Sequence, residues 1–273
     1  MSMDSLIAVV WSKMIQTAFD RATIFAGLCN RDYEGDAQLG NTVKINALGD
    51  PTVSTYTGTV TYEDVNTAAQ ALLIDQADSF SFKVKDIEKA QAAADVIPKA
   101  MRRAGRRLAL KVDTFIAGFY TAISAANDLG IVAITSPDLA YQYLVALAQT
   151  LDEADVPEDG RWCTVPPWYY ALLRRNNLFL QNAATGGQTL RTGKVGEVLG
   201  MDVLKSNSVQ LISGDDYAVM AGVQDAFTFA DQINETETLR LQDTFATGIR
   251  GLHVYGGKVV RNDGFALLRA SIT

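Results

Sequence analysis

From Asp86 the hydrophobic period of the chain changes from two to 3.6, with apolar residues at Ile87, Ala90, Ala94, Ile97, Met101, Ala104, Leu108, Val112, Phe115 and Phe119. This spacing predicts one helix running to about Tyr120. Unbroken, its ~35 residues would span ~50 Å, about the diameter of a compact sphere made from this chain. The subunit is therefore expected to be elongated or flat. Pro98 removes a helical hydrogen bond and crowds the preceding turn, so this length is an upper bound.

The segment before that helix is poor in core residues. Thr42-Val43-Lys44-Ile45 leads to the turn residues Leu48-Gly49-Asp50-Pro51 and a threonine-rich, β-prone run from Thr52 to Tyr62. This reads as a β-hairpin with an extended tip. Between Pro51 and Gln70 the large apolar residues are only Val53, Tyr56, Val60, Tyr62 and Val65. A two-stranded hairpin is marginal in water, so something outside it must hold it, most simply a neighbouring subunit. The chain returns through Leu72-Leu73-Ile74 and alternates Phe80, Phe82 and Val84 with Ser79, Ser81 and Lys83, the pattern of a half-buried strand.

At the N-terminus, Leu6, Ile7, Val10, Trp11, Met14, Ile15, Ala18 and Phe19 recur at helical steps. The polar, glycine-containing stretch 30–41 tethers this amphipathic helix by a loop. Residues 1–40 thus read as an arm that need not pack on its own subunit. Beyond the loop 127–137, Ser136 as N-cap and Pro137 at the first helical position open a helix to about Ala154. A strand Arg161–Val165, a helix from Pro166 or Pro167 to Arg175, a loop around Gly186-Gly187 and strands Val195–Lys205 and Tyr217–Ala221 follow, a mixed α+β unit. Residues 249–268 read as two strands joined by the turn Tyr255-Gly256-Gly257-Lys258, rejoining the sheet beside the long helix.

Catalytic chemistry finds little to work with. The single histidine, His253, lies in a predicted strand and reads as half-exposed and structural, and Cys29 and Cys163 show no metal or redox spacing. Gly187 to Lys194 misses the phosphate-loop pattern by one residue and has Val195 where a hydroxyl should hold magnesium. The carboxylate pairs Asp152-Glu153 and Asp215-Asp216 sit in helix-end and turn contexts. No catalytic, cofactor-binding or metal-ligating residue is expected, and an enzyme is not. No basic leader precedes the apolar patch 6–11, and no run approaches the ~20 apolar residues of a membrane span. The composition, 48% hydrophobic and 20% charged, is that of a folded chain.

A formal charge of -7 excludes a general nucleic-acid coat, so any such contact must be local. Lys99, Arg102, Arg103, Arg106, Arg107 and Lys111 cluster on the helix side opposite Ile97, Met101, Ala104, Leu108 and Val112. This stripe could meet solvent, an acidic neighbour such as Glu63-Asp64 of another subunit, or packaged nucleic acid. It carries no aromatic residues, which argues against base recognition.

Five segments resemble, in order, those of tailed-bacteriophage major capsid proteins with the Hong Kong 97-type fold. They are Gly40 to Ile45, Leu72 to Gln91, Arg161 to Pro167, Gly193 to Val209 and Gly248 to Val260. The resemblance implies an α+β fold with an N-terminal arm (1–40), an extended-loop hairpin and peripheral-domain strand (41–85), a spine helix (86–136), an axial domain (137–247) and C-terminal strands returning to the peripheral domain (248–273). It implies self-assembly as pentamers and hexamers into an icosahedral shell in the host cytoplasm, around double-stranded DNA held by weak, non-specific contact. A separate scaffolding protein, a portal and a cementing protein are the implied partners. Trp11, Ile15, Tyr56, Tyr62, Glu63 and Asp64 are the inter-subunit candidates. Some relatives cross-link through a loop lysine, but no lysine lies between Asn46 and Phe82, so no such link is expected from the loop tip. An encapsulin-like nanocompartment shares this fold and is the alternative. A two-domain enzyme or a tail or decoration protein fits the residues less well.

Overall fold

The computed structural model describes residues 13–20, 22–32, 42–48, 55, 67–85, 96–176, 194–241 and 245–272. Residues 13–20 form a helix, α1, and the next ordered turn is a 3-10 helix at Phe25–Leu28. Strands β1 (Thr42–Leu48) and β2 (Thr67–Leu73) pair antiparallel as the base of the expected hairpin, whose tip lies outside the described residues apart from Thr55. Strand β3 (Gln76–Lys85) shows the anticipated alternation, its even-numbered residues facing inward.

The long helix, α2, is described from Val96 to Ala117 and continues as a 3-10 turn at Gly118–Ala122. Its 22 residues span ~33 Å. The expected start at Asp86 lies outside the described residues, and Pro98 falls in the first described turn. Met101, Leu108, Ala109, Val112, Ile116 and Ala117 form its buried stripe.

Strand β4 (Asp128–Ala133) precedes helix α3 (Pro137–Glu153), where the Ser136 hydroxyl accepts the Leu139 N–H at 3.2 Å. Strand β5 (Arg161–Val165) and helix α4 (Pro167–Leu173) fall where expected. The single strand expected over 195–205 is instead a hairpin, β6 (Lys194–Val198) and β7 (Met201–Lys205). Leu199 at φ 57 and Gly200 at φ 71 turn the chain, the positive-φ pair that a tight hairpin needs. Strands β8 (Leu211–Ser213) and β9 (Asp216–Val223) follow. Then come the long antiparallel pair β10 (Phe227–Arg240) and β11 (Ala246–Val259), and finally β12 (Phe265–Ser271).

The strands form three sheets: β1-β2, β10-β11-β3, and a seven-stranded sheet ordered β4-β12-β9-β5-β7-β6 with β8 beside β9. Two expectations for the C-terminus need correction. No turn occurs at Tyr255-Gly256-Gly257-Lys258, because β11 runs straight through it. The glycines serve close packing: a Cβ on Gly256 would collide with the Leu73 carbonyl, and one on Gly257 would lie 2.8 Å from the Phe119 ring. The second correction concerns β12, which does not join β3 beside α2 but enters the large sheet, parallel to β4 and antiparallel to β9. Conversely β10, expected in the axial unit, pairs with β11 in the three-stranded sheet.

The arm expectation also changes within the described residues. Ile15, Phe19, Phe25, Ala26 and Cys29 are buried in the main core, which joins α2, α3, α4 and the large sheet. Gly105 makes this possible, since a Cβ there would stand 2.7 Å from the Ile15 carbonyl oxygen and 3.1 Å from Ala18 Cβ. Asn30 then forms a parallel bridge to Thr228. A smaller core of Val43, Ile45, Leu72, Ile74 and Ala230 fixes the hairpin base to its own subunit.

Candidate assembly surfaces

All six members of the basic stripe, Lys99, Arg102, Arg103, Arg106, Arg107 and Lys111, are exposed on α2. None forms an ion pair with a described carboxylate. Two grooves flank the stripe. Between α1 and α2 a groove of about 900 Å³ has an apolar floor of Met14, Ala18 and Ala22, with Lys13 on one wall and Arg102, Arg103 and Arg106 on the other. Lys13 is a member of this cationic surface that helix periodicity alone could not assign, because it belongs to a different helix. On the other flank, about 500 Å³ of space separates β3 from Arg103, Arg107 and Lys111.

Of the inter-subunit candidates, Ile15 is excluded from that role because it is 0% exposed and packs on its own chain. Trp11, Tyr56, Tyr62, Glu63 and Asp64 lie outside the described residues. Exposed apolar side chains instead include Phe245 and Leu239 at the far end of the β10–β11 pair, and Ile131 on β4, an edge of the large sheet.

The structure also brings together buried polar groups. Asp113, on the buried face of α2, accepts backbone N–H groups from Ile24 at 2.9 Å, Phe25 at 3.0 Å and Ala26 at 3.4 Å. These are the otherwise unmatched donors at the start of the 3-10 turn. Burial pushes its carboxyl up to about 6, against the opposing effect of the three N–H donors. A sequence signal existed, since Asp113 follows Val112 on the stripe that continues to Ile116.

His253 is structural, but fully buried and not half-exposed. Its Nε2 lies 3.3 Å from Asp231, which also pairs with Arg31 at 2.9 Å, and Phe19 packs edge-on to the ring at 5.0 Å. The arrangement ties α1, residue 31 and the three-stranded sheet together, with no nucleophile in its hydrogen-bond set. Both cysteines are buried free thiols, and burial pushes Cys163 up to about 12. Among the described residues no group of three or more His, Cys, Asp or Glu is placed to hold a metal, and no helix is long and apolar enough to cross a membrane.

A family model described as phage capsid protein matches residues 72–269. A solved chain from Mycobacterium phage Che8 is 35% identical, with a TM-score of 0.72 over 90% of each chain. The capsid structure of cyanophage P-SCSP1u is 20% identical, with a TM-score of 0.68 over 93% of this chain and 89% of that one. A virus-like particle from Pyrococcus furiosus shares the fold at 11% identity, with a TM-score of 0.65 over 96% of this chain and 99% of that one. No curated protein matches the sequence. A 35% identical phage chain matched over 90% of both chains, and a family model that takes in the three-stranded and seven-stranded sheets, leave one assignment: the chain belongs to the phage capsid protein family, and is a major capsid shell protein with the Hong Kong 97-type fold.

Proposed function

We propose that this chain assembles as pentamers and hexamers into the icosahedral head of a tailed phage and encloses double-stranded DNA. The observation that carries the reading is the 35% identity to the phage Che8 chain over 90% of both chains. In this reading the unit built on α2, β3, β10 and β11 is peripheral. The large sheet, with α3 and α4, is axial and meets its copies around fivefold and sixfold axes. The hairpin tip, with Tyr56, Tyr62, Glu63 and Asp64, lies over an adjacent subunit, and Trp11 faces a neighbour.

Packaged DNA meets the shell by weak, non-specific contact with phosphates, for which the exposed cations of the basic stripe are candidates. Assembly takes place in the host cytoplasm with a separate scaffolding protein and a portal. Surfaces that differ at the two edges of a subunit suit heterologous contacts that close into rings.

Negative-stain microscopy of the purified protein, with assay of its nucleic-acid content, tests the reading. Icosahedral shells that hold DNA after phage infection support it. A discrete monomer overturns it, and closed shells that carry protein cargo and no DNA favour the encapsulin-like alternative.

A further inference from the structure

The unit built on the large sheet carries opposite charges at its two ends. The Asn176 amide donates to the Asp138 carboxylate at 2.8 Å, which sets the preceding Arg174 and Arg175 beside the N-terminal end of α3. Lys205, the last residue of β7, joins them. Its ammonium lies 5.7 Å from the centroid of the Tyr170 ring and the Arg174 guanidinium 5.9 Å, so one aromatic ring holds both cations on one surface. All three cations are exposed, and none forms an ion pair with a described carboxylate. The other end of α3 lies ~25 Å away, where Glu153, Asp155, Glu158 and Asp159 are exposed and pair with no described cation. Arg161 braces this loop from inside. Its side chain is only 4% exposed and bonds to Asp152 at 2.5 Å, to the Pro157 carbonyl at 2.9 Å and to the Val156 carbonyl. A fixed loop thus presents four carboxylates outward at one end, and a ring-mounted group of cations stands at the other.

Resting on the reading that this unit meets its copies around fivefold and sixfold axes, we propose that charge sets the direction of that contact. The loop 153–159 of one subunit docks on the face formed by Tyr170, Arg174, Arg175 and Lys205 of the next. A second copy is the occupant because each subunit carries both members of a complementary pair at opposite ends of α3. Such a contact is head-to-tail, the kind that closes into rings. Like ends repel, so pairing two copies through the same end is disfavoured. Exposed ion pairs are individually weak, so the surface governs register and direction more than affinity. Reversing one end turns attraction into repulsion at every contact of the ring, which multiplies a small effect.

The test is charge reversal with rescue in the full-length chain, read as particle yield by microscopy and sedimentation. Arg174→Glu/Lys205→Glu, at wild-type helix content by circular dichroism, is expected to lower yield at least tenfold. Adding Glu158→Arg/Asp159→Arg to the same chain is expected to restore at least half of it. Wild-type yield from the first variant, or no restoration by the second pair, overturns the contact. A variant that loses helix content is replaced by cysteine pairing, since both native thiols are buried. Glu158→Cys combined with Arg174→Cys or with Lys205→Cys should give, from oxidised particles, a ladder of disulfide-joined chains that stops at five and six. Single bands from both pairs, or a ladder running past six, overturn the contact within a ring. Wild-type particles with any of these negative results leave the shell reading standing, whereas a wild-type chain that forms no particles overturns both.

Discussion

The Asp113 carboxylate accepts the Phe25 N–H at 3.0 Å, joining residues 88 positions apart, and it takes the Ile24 and Ala26 N–H groups as well. Replacing Asp113 with Ala leaves two buried donors, Phe25 and Ala26, and the part-buried Ile24 N–H without this acceptor and should destabilise the subunit by about 3 kcal/mol. Asp113→Asn keeps one oxygen acceptor and should cost less than half of that. Urea denaturation of unassembled subunits ranks the two.

The same carboxylate sets a pH dependence. Its folded value, about 6, lies above the ordinary value near 3.8, so the folded chain binds the proton more tightly. Its contribution is fully present below pH 3.8 and is lost as pH rises through about 6, up to about 3 kcal/mol. Stability measured from pH 4 to 7 should carry this falling component in the native chain and lack it in Asp113→Asn.

Gly105→Ala should destabilise the subunit although alanine is the better helix former. The added methyl meets a backbone oxygen of α1 at 2.7 Å, and the resulting shift should cost about 2 kcal/mol, more than the ~1 kcal/mol of propensity gained. Faster amide exchange in residues 13–20 would locate the damage, and unchanged exchange would refute this account.

Gly256→Ala and Gly257→Ala should differ. At 256 the obstacle is the Leu73 backbone, which cannot move without parting β2 from β11; at 257 it is the Phe119 ring, which can tilt. Thermal unfolding should show the larger loss for Gly256→Ala.

Leu199 holds φ 57 in the β6–β7 turn, a region costly for leucine and tolerated by asparagine. Leu199→Asn gives the Asn-Gly pair favoured in such turns and should raise stability by about 1 kcal/mol, measured by denaturant midpoint. Equal or lower stability would count against the turn geometry.

Local signals carried much of the fold. The Ser136 cap, the alternation in β3 and the apolar stripe of α2 each follow from periodicity or capping within a few residues. Features set by distant neighbours did not show. Gly256-Gly257 looked like a turn because glycine pairs usually are one, yet here they admit Leu73 and Phe119 across a strand. The N-terminal helix looked free because nothing within residues 1–40 reveals that Gly105 leaves a seat for Ile15. The basic stripe was legible as a helical pattern, whereas Lys13 and the groove between the stripe and β3 required the tertiary arrangement.

The insertion of Phe265–Ser271 between β4 and β9 bears on biosynthesis. During translation, β4 and β9 are made long before the strand that separates them, and both keep a bare edge until it emerges. Nascent chains therefore pass through a window in which two such edges can pair wrongly or recruit a chaperone. Only chains that have closed that gap present the finished large sheet to their neighbours, so the timing of the final strand sets when a subunit becomes competent to enter a shell.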